Sequence, residues 1–285
     1  MKTIELAGAD GIQLAADADG DESNRSVILL HGGGQTRHAW GNALTALAAD
    51  GWHAVTVDLR GHGQSSWSSD GVYSLDRFAS DVRIVAQQFD LPVLVGASLG
   101  GLSSLAAIGE SQEPIASALV LVDVTPRLEQ EGVKRITEFM SLGVNGFESL
   151  AAVADAVASY LPHRRRPSDL EGLKKNVRRR EDGKWVWHWD PAFISGVDEQ
   201  AGEPTSGRFS PRDRLQAAAR RVTIPTLLVR GGASDVVSKE GAAELKALIP
   251  HAEVVDVADA GHMVAGDRND RFNSAVIDFL DRIVR

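Results

Sequence analysis

A chain of 285 residues, 43% hydrophobic and 24% charged, has the composition of an ordinary globular protein with one large core, or one core carrying an insertion. Its formal charge of −9 argues against a general nucleic-acid binder, and its lack of cysteine excludes disulfides, thiolate chemistry and cysteine-held metal. The opening "MKTIELAGADGIQLAADADG" has no apolar stretch of signal-peptide length, and no run approaches the ~20 apolar residues of a membrane span. A soluble, cytoplasmic protein without a membrane partner is expected.

In chain order, "TIEL" and "IQLAAD" flank "AGADG" and predict an opening hairpin. Six apolar, valine-rich runs follow: "SVILLHGGG", "HAVTVDLRGHG", "PVLVGASLGG", "ALVLVDVTP", "PTLLVRGGASD" and "AEVVDVADAGH". Continuous apolar runs of this length predict strands buried on both faces, as in a parallel sheet. Helical patterns lie between several of them. "HAWGNALTALAADG" keeps Trp40, Leu44 and Leu47 on one face and stops at Gly51. "SLDRFASDVRIVAQQFD" starts at Ser74, "ELKALI" precedes the last strand, and "FNSAVIDFLDRIV" closes the chain. The alternation predicts an α/β sheet with helices on both faces. It breaks between about Pro126 and Arg221, where mostly helical patterns, a basic patch and "KWVWHWDPAF" predict an insertion long enough to be a lid. "GEPTSGRFSPRD", Gly202 to Asp213, predicts the loop back to the main domain.

Ser98 lies in "GASLGG", between an apolar run and a helical pattern. A strand turning sharply into a helix at this serine forces strained backbone angles, and Gly96 and Gly100 must then be small. A glycine-rich turn with an incidental serine is the plainer reading; the strand–turn–helix context favours a nucleophile. The phosphate-cradle reading fails, because the segment lacks the G-K-[ST] ending of a P-loop. A serine hydroxyl needs a base. Of eight histidines, His31, His38, His53 and His62 lie upstream, and His163 and His188 lie in the insertion. His251 sits at the wrong end of the last strand, whereas His262 follows that strand on the edge shared with Ser98. His262 is therefore the expected base. The acid that fixes its tautomer is Asp235, after "TLLVRGGA", or Asp123, after "ALVLV". The order Ser98, Asp235, His262 favours Asp235, which leaves Asp123 to brace the strand end or line the pocket. The backbone N–H of Leu99 and that of Gly33, with Gly34 as alternate, are the expected oxyanion donors.

"HGGG", "DLRGHGQSS", "GASLGG", "RGGASD" and "AGH" stand in the order of the α/β-hydrolase superfamily, which the chain resembles over nearly its whole length and least in the lid. The resemblance implies an eight-stranded, mostly parallel sheet with helices on both faces. It also implies a mainly helical cap between the sixth and seventh strands and a Ser98–Asp235–His262 triad. The implied organisation is a core of residues 1–126 and 213–285 with a cap of 127–212. The implied activity is hydrolysis of a carboxylic ester or lactone through an acyl-serine intermediate, without metal or organic cofactor. A C–C hydrolase acting on a vinylogous diketone and a cofactor-free haloperoxidase or perhydrolase use similar motifs. A ligand receptor on a hydrolase scaffold is the non-enzyme alternative. Epoxide hydrolases and haloalkane dehalogenases share the fold but use aspartate where this chain has Ser98.

Two features of the insertion bear on the substrate. "HRRRPSDLEGLKKNVRRREDGK" is densely basic and reads first as a solvated face, second as a rim that steers an anion. In "WVWHWD", strand spacing puts Trp185, Trp187 and Trp189 on one face. They either glue the lid to the core or line a pocket for an apolar or aromatic substrate.

Overall fold

Apolar runs of four to seven residues, bounded by glycine and aspartate, pack as neighbours because each must bury both faces. The computed structural model describes residues 1–162, 164, 166, 169–195, 211–267 and 269–284. Its main sheet contains β1 (Lys2–Ala7), β2 (Gln13–Asp19), β3 (Ser26–Leu30), β4 (His53–Val57), β5 (Val93–Ala97), β6 (Ala118–Val122), β9 (Thr226–Gly231) and β10 (Glu253–Val257). The spatial order is β1-β2-β4-β3-β5-β6-β9-β10. β1, β2 and β4 pair antiparallel in turn, and every pairing from β4 to β10 is parallel. The expected eight-stranded, mostly parallel α/β sheet is therefore present. Every residue of β3, β4, β6 and β9 is buried. β10 departs from the expectation of burial on both faces. It has one neighbour, and Glu253, Val254 and Asp256 are exposed.

Helices cover both faces of the sheet. On one, α1 (Gly41–Ala49), with Trp40 just before it, and the C-terminal α9 (Asn269–Val284) set Trp40, Leu44, Leu47, Phe272 and Phe279 against the valines of β3, β5 and β6. The predicted stripe of Trp40, Leu44 and Leu47 is buried, each residue being 2% exposed. Truncating either leucine to alanine costs roughly 2–5 kcal/mol at such a site. The helix stops at Asp50, and Gly51 follows at φ +93°. On the other face lie α2 (Leu75–Ala86), α3 (Leu99–Glu110), α7 (Arg212–Arg220) and α8 (Lys239–Leu248). Ser74 caps α2 as expected, its Oγ accepting from the Arg77 amide at 3.4 Å.

Between β6 and β9 the described chain forms α4 (Gln130–Ser141), α5 (Leu150–Tyr160), the antiparallel hairpin of β7 (Val177–Arg179) and β8 (Trp185–Trp187), and the short α6 (Pro191–Ser195). Met140, Trp187, Trp189 and Phe193 from this segment join the same apolar cluster as α2 and α3. Strand geometry in "WVWHWD" ends at Trp187, earlier than the alternation predicts. His163 and the predicted loop up to Ser210 lie outside the described residues; Arg212 and Asp213 already belong to α7.

Candidate active site

Ser98 stands between the last residue of β5 and the first of α3, with φ +45° and ψ −115°. A serine in this left-handed region is strained, and such strain persists only where the surroundings impose it. The glycines two places away make the turn feasible. A methyl group on Gly100 would lie 2.4 Å from the Leu30 carbonyl oxygen, and one on Gly96 would lie 2.5 Å from the Gly100 backbone. Ser98 is half-buried and lines a cavity of about 400 Å³ that His262 also lines. Its Oγ has no hydrogen-bond partner among the described residues and faces that space.

His262 follows β10, at the sheet edge where β5 ends. Its Nδ1–H donates to Asp123 Oδ2 at 2.7 Å. Asp123 is fully buried just past β6, with its own backbone at φ +48°. Its carboxylate also accepts from the Gly231 amide at 2.8 Å and from Ser234 Oγ at 2.5 Å. Asp123 thus accepts three hydrogen bonds, and the one to Nδ1 leaves His262 Nε2 as the bare nitrogen. The structure corrects two expectations here. Asp235 is not beside His262: it lies at the surface, paired with Arg135 of α4 at 2.9 Å. Ser234, one residue earlier, turns its hydroxyl to Asp123. Asp123, in turn, does not line the cavity; it stands behind the histidine.

The turn after β3 runs beside Ser98. The Gly32 amide donates to Gln35 Oε1 at 3.0 Å and the Gly34 amide to His62 Nε2 at 3.0 Å. Gly34, expected as the alternate oxyanion donor, is therefore already engaged. The amides of Gly33 and Leu99 have no acceptor among the described residues, and both residues line the cavity. Three buried histidines surround this turn, with ring centroids 5.2 Å apart for His31 and His62 and 5.9 Å apart for His62 and His188. His31 donates from Nδ1 to the Gly32 carbonyl at 2.8 Å and accepts from the Leu59 amide at 3.0 Å. His62 donates from Nδ1 to the Arg60 carbonyl at 2.9 Å. His188 accepts from the Gly63 amide at 2.7 Å. Nothing in the sequence marks these rings as a group, since they come from three separate loops.

Each ring presents one bare nitrogen to an amide, which only the neutral form can do. Burial is the first cause that lowers all three pKa values: His31 below the ordinary imidazole value, His62 to about 3 and His188 well below it. In the unfolded chain the same groups take up protons below about 6.5. Stability is then full above that pH and falls as pH drops through the window from about 6.5 towards 3. The loss is at most ~1.4 kcal/mol per pH unit for each histidine. Urea unfolding checks this: the midpoint should be clearly lower at pH 5 than at pH 7, and equal midpoints would contradict a neutral cluster.

Much of the apolar lining of the cavity is aromatic. Phe139, Tyr160, Trp187, Trp189 and Phe193 line it, with Trp187 and Trp189 stacked at 4.9 Å and 13°. Trp185 does not line it; its backbone pairs with Phe147 instead. Among the lining residues Lys175 is the one Lys, Arg, Asp or Glu. Much of the rest of the basic run meets surface acids, as in Lys174–Glu171, Arg166–Asp155 and Arg180–Asp182. Among the described residues no helix is long and apolar enough to cross a membrane.

The model of the Alpha/beta hydrolase family matches residues 27–275. Esterase Rv0045c of Mycobacterium tuberculosis is 34% identical over 250 residues, 85% of this chain and 78% of its own. Its solved structure has a TM-score of 0.74 and 32% identity, covering 98% of this chain and 92% of that one. The 2-(acetamidomethylene)succinate hydrolase of Mesorhizobium japonicum is 28% identical, with 92% of this chain and 90% of that protein covered. The crystal structure of E-2-(acetamidomethylene)succinate hydrolase, 24% identical, covers 98% of this chain and all of that one at a TM-score of 0.82, a likeness of fold.

Proposed function

The chain belongs to the alpha/beta hydrolase family and is a hydrolase, and from that premise we propose that it cleaves a carboxylic ester or lactone through an acyl-serine intermediate on Ser98. The observation that carries this reading is the 2.7 Å bond from His262 Nδ1 to buried Asp123, in a ring that faces the cavity of Ser98. His262 Nε2 takes the Ser98 proton as Oγ attacks the substrate carbonyl. The tetrahedral oxyanion sits between the free amides of Gly33 and Leu99. The imidazolium, steadied by Asp123, then protonates the leaving alkoxide, and water releases the acyl group by the reverse sequence. Asp123 replaces Asp235 as the triad acid.

Residues 127–212 act as a cap over a core of residues 1–126 and 213–285. Their aromatic contribution to the cavity favours an apolar or aromatic acyl or leaving group. The relative named as an esterase supports the ester reading. Trp187 and Trp189 serve both of the roles set out for the tryptophans, since they pack into the core and line the cavity.

Trp187→Ala or Trp189→Ala is expected to lower kcat/KM for a bulky aryl ester by about tenfold, ~1.4 kcal/mol. Turnover of p-nitrophenyl acetate should change far less, because an acetyl group barely reaches the wall. Trp185→Ala should leave the ratio of the two esters unchanged. Kinetics on both esters, with melting temperature as the folding control, check the assignment. Equal losses on both esters that track a lower melting temperature would reduce the tryptophans to packing.

A further inference from the structure

Three successive peptide groups of the turn after β3 are each gripped by a different buried histidine. A trans peptide holds its C=O and N–H antiparallel, so fixing one end aims the other. The peptide between Gly32 and Gly33 carries the Gly33 N–H, and His31 Nδ1–H holds its carbonyl at 2.8 Å. The peptide between Gly33 and Gly34 is held through its N–H by His62 Nε2 at 3.0 Å. The peptide after it is met through the Gly34 carbonyl by His188 Nε2 at 3.4 Å. Gly32, Gly33 and Gly34 are conformationally permissive, so the turn relies on such bonds to keep one shape.

We infer that His62 and His188 are positioning residues for the oxyanion hole: by holding the two peptides beyond it, they keep in place the Gly33 N–H whose own peptide His31 holds. Neither ring lines the cavity. His62 is held in turn by the Arg60 carbonyl, at the bend after β4. His188 comes from the segment between β6 and β9 and is anchored by the Gly63 amide at 2.7 Å. Arg178 of β7 donates to the Gly63 carbonyl, and the Asp190 amide donates to Gly61 O at 2.8 Å. The segment that covers the cavity thereby grips the bend that carries His62 and reaches the oxyanion turn itself. A correctly placed donor depends on that segment being seated.

This inference rests on the acyl-serine reading, and the test separates the two. The variants are His62→Gln, His62→Phe, His188→Gln, His188→Asn and His188→Phe. Active sites are counted with a fluorophosphonate, so that kcat refers to competent enzyme only. An alkyl trifluoromethyl ketone reports on the hole: Ser98 Oγ adds to its carbonyl, the proton passes to His262, and an oxyanion forms. The matching alkyl amide reports ground-state binding. The two Phe variants should lose up to about 10²-fold in kcat with little change in KM. Their affinity for the ketone should fall in parallel, and amide binding should hold. His188→Gln, whose amide N–H can still reach Gly34 O, should retain more activity than His188→Asn. Unchanged ketone affinity per active site would overturn the inference, as would equal losses of ketone and amide binding. Should variants fail to fold, imidazole ¹⁵N spectra of the wild type decide. They should show His62 protonated on Nδ1 and His188 on Nε2, both moving when the ketone binds, and the opposite tautomers would overturn it. A wild type that neither turns over esters nor binds the ketone would instead defeat the acyl-serine reading.

Discussion

Ser98→Ala is expected to lower kcat for p-nitrophenyl butyrate by roughly 10⁵- to 10⁶-fold, the scale on which a triad nucleophile acts as a unit with its base. The hydroxyl supplies the oxygen that carries the acyl group, and no other serine or threonine hydroxyl stands at the left-handed elbow between β5 and α3. The melting temperature should stay within a degree or two, because Oγ has no hydrogen-bond partner among the described residues and an alanine fits the same backbone. His262→Ala should fall to a similar floor, and the double variant should be no worse than either single one. Stopped-assay kinetics on purified proteins measure this. Residual turnover of a tenth or more of wild type in Ser98→Ala would show that another group does the chemistry.

Asp123→Asn should cost roughly 10⁴-fold in kcat with KM little altered, because an amide nitrogen facing Nδ1 imposes the wrong tautomer on His262. Some loss of stability accompanies it, since Asp123 also accepts from the Gly231 amide and Ser234 Oγ. An amide oxygen can keep only part of that set. Asp235→Asn should change kcat by less than about threefold and stability by less than about 1 kcal/mol, the usual worth of a surface ion pair. The partner it loses, Arg135, is itself half-exposed. Paired kinetics and melting curves on the two variants check the ranking. A large loss in Asp235→Asn with Asp123→Asn near wild type would reverse the assignment.

The sheet was legible because parallel strands buried on both faces leave continuous apolar runs, a local signal that needs no knowledge of partners. The elbow was legible for a similar reason: the small residues it requires stand two places either side of Ser98. His262 could be placed because strand polarity decides which end of β10 faces the nucleophile. The acid could not be chosen that way. The order Ser98, Asp123, His262 satisfies the same sequence criterion as Ser98, Asp235, His262, and both aspartates follow strands that end on one edge. What decides between them is rotation of the chain past each strand end. Asp123 turns in at φ +48°, while the β9 loop turns Ser234 in and Asp235 out. The hydrogen bonds of three histidines to the turn after β3 were invisible because His31, His62 and His188 meet only in the folded chain. The tryptophan alternation misled at Trp185, since an alternating pattern fixes which residues share a face but not which of them reach the cavity.

Ser98, driven by His262, is proposed as the nucleophile of the hydrolase. Mass spectrometry of the wild-type protein treated with a fluorophosphonate tests it most directly. One adduct per chain is expected, mapped to Ser98, blocked by saturating trifluoromethyl ketone and lost in His262→Ala. Stoichiometric modification of a different residue, with Ser98 unmodified and ester turnover abolished, would contradict it.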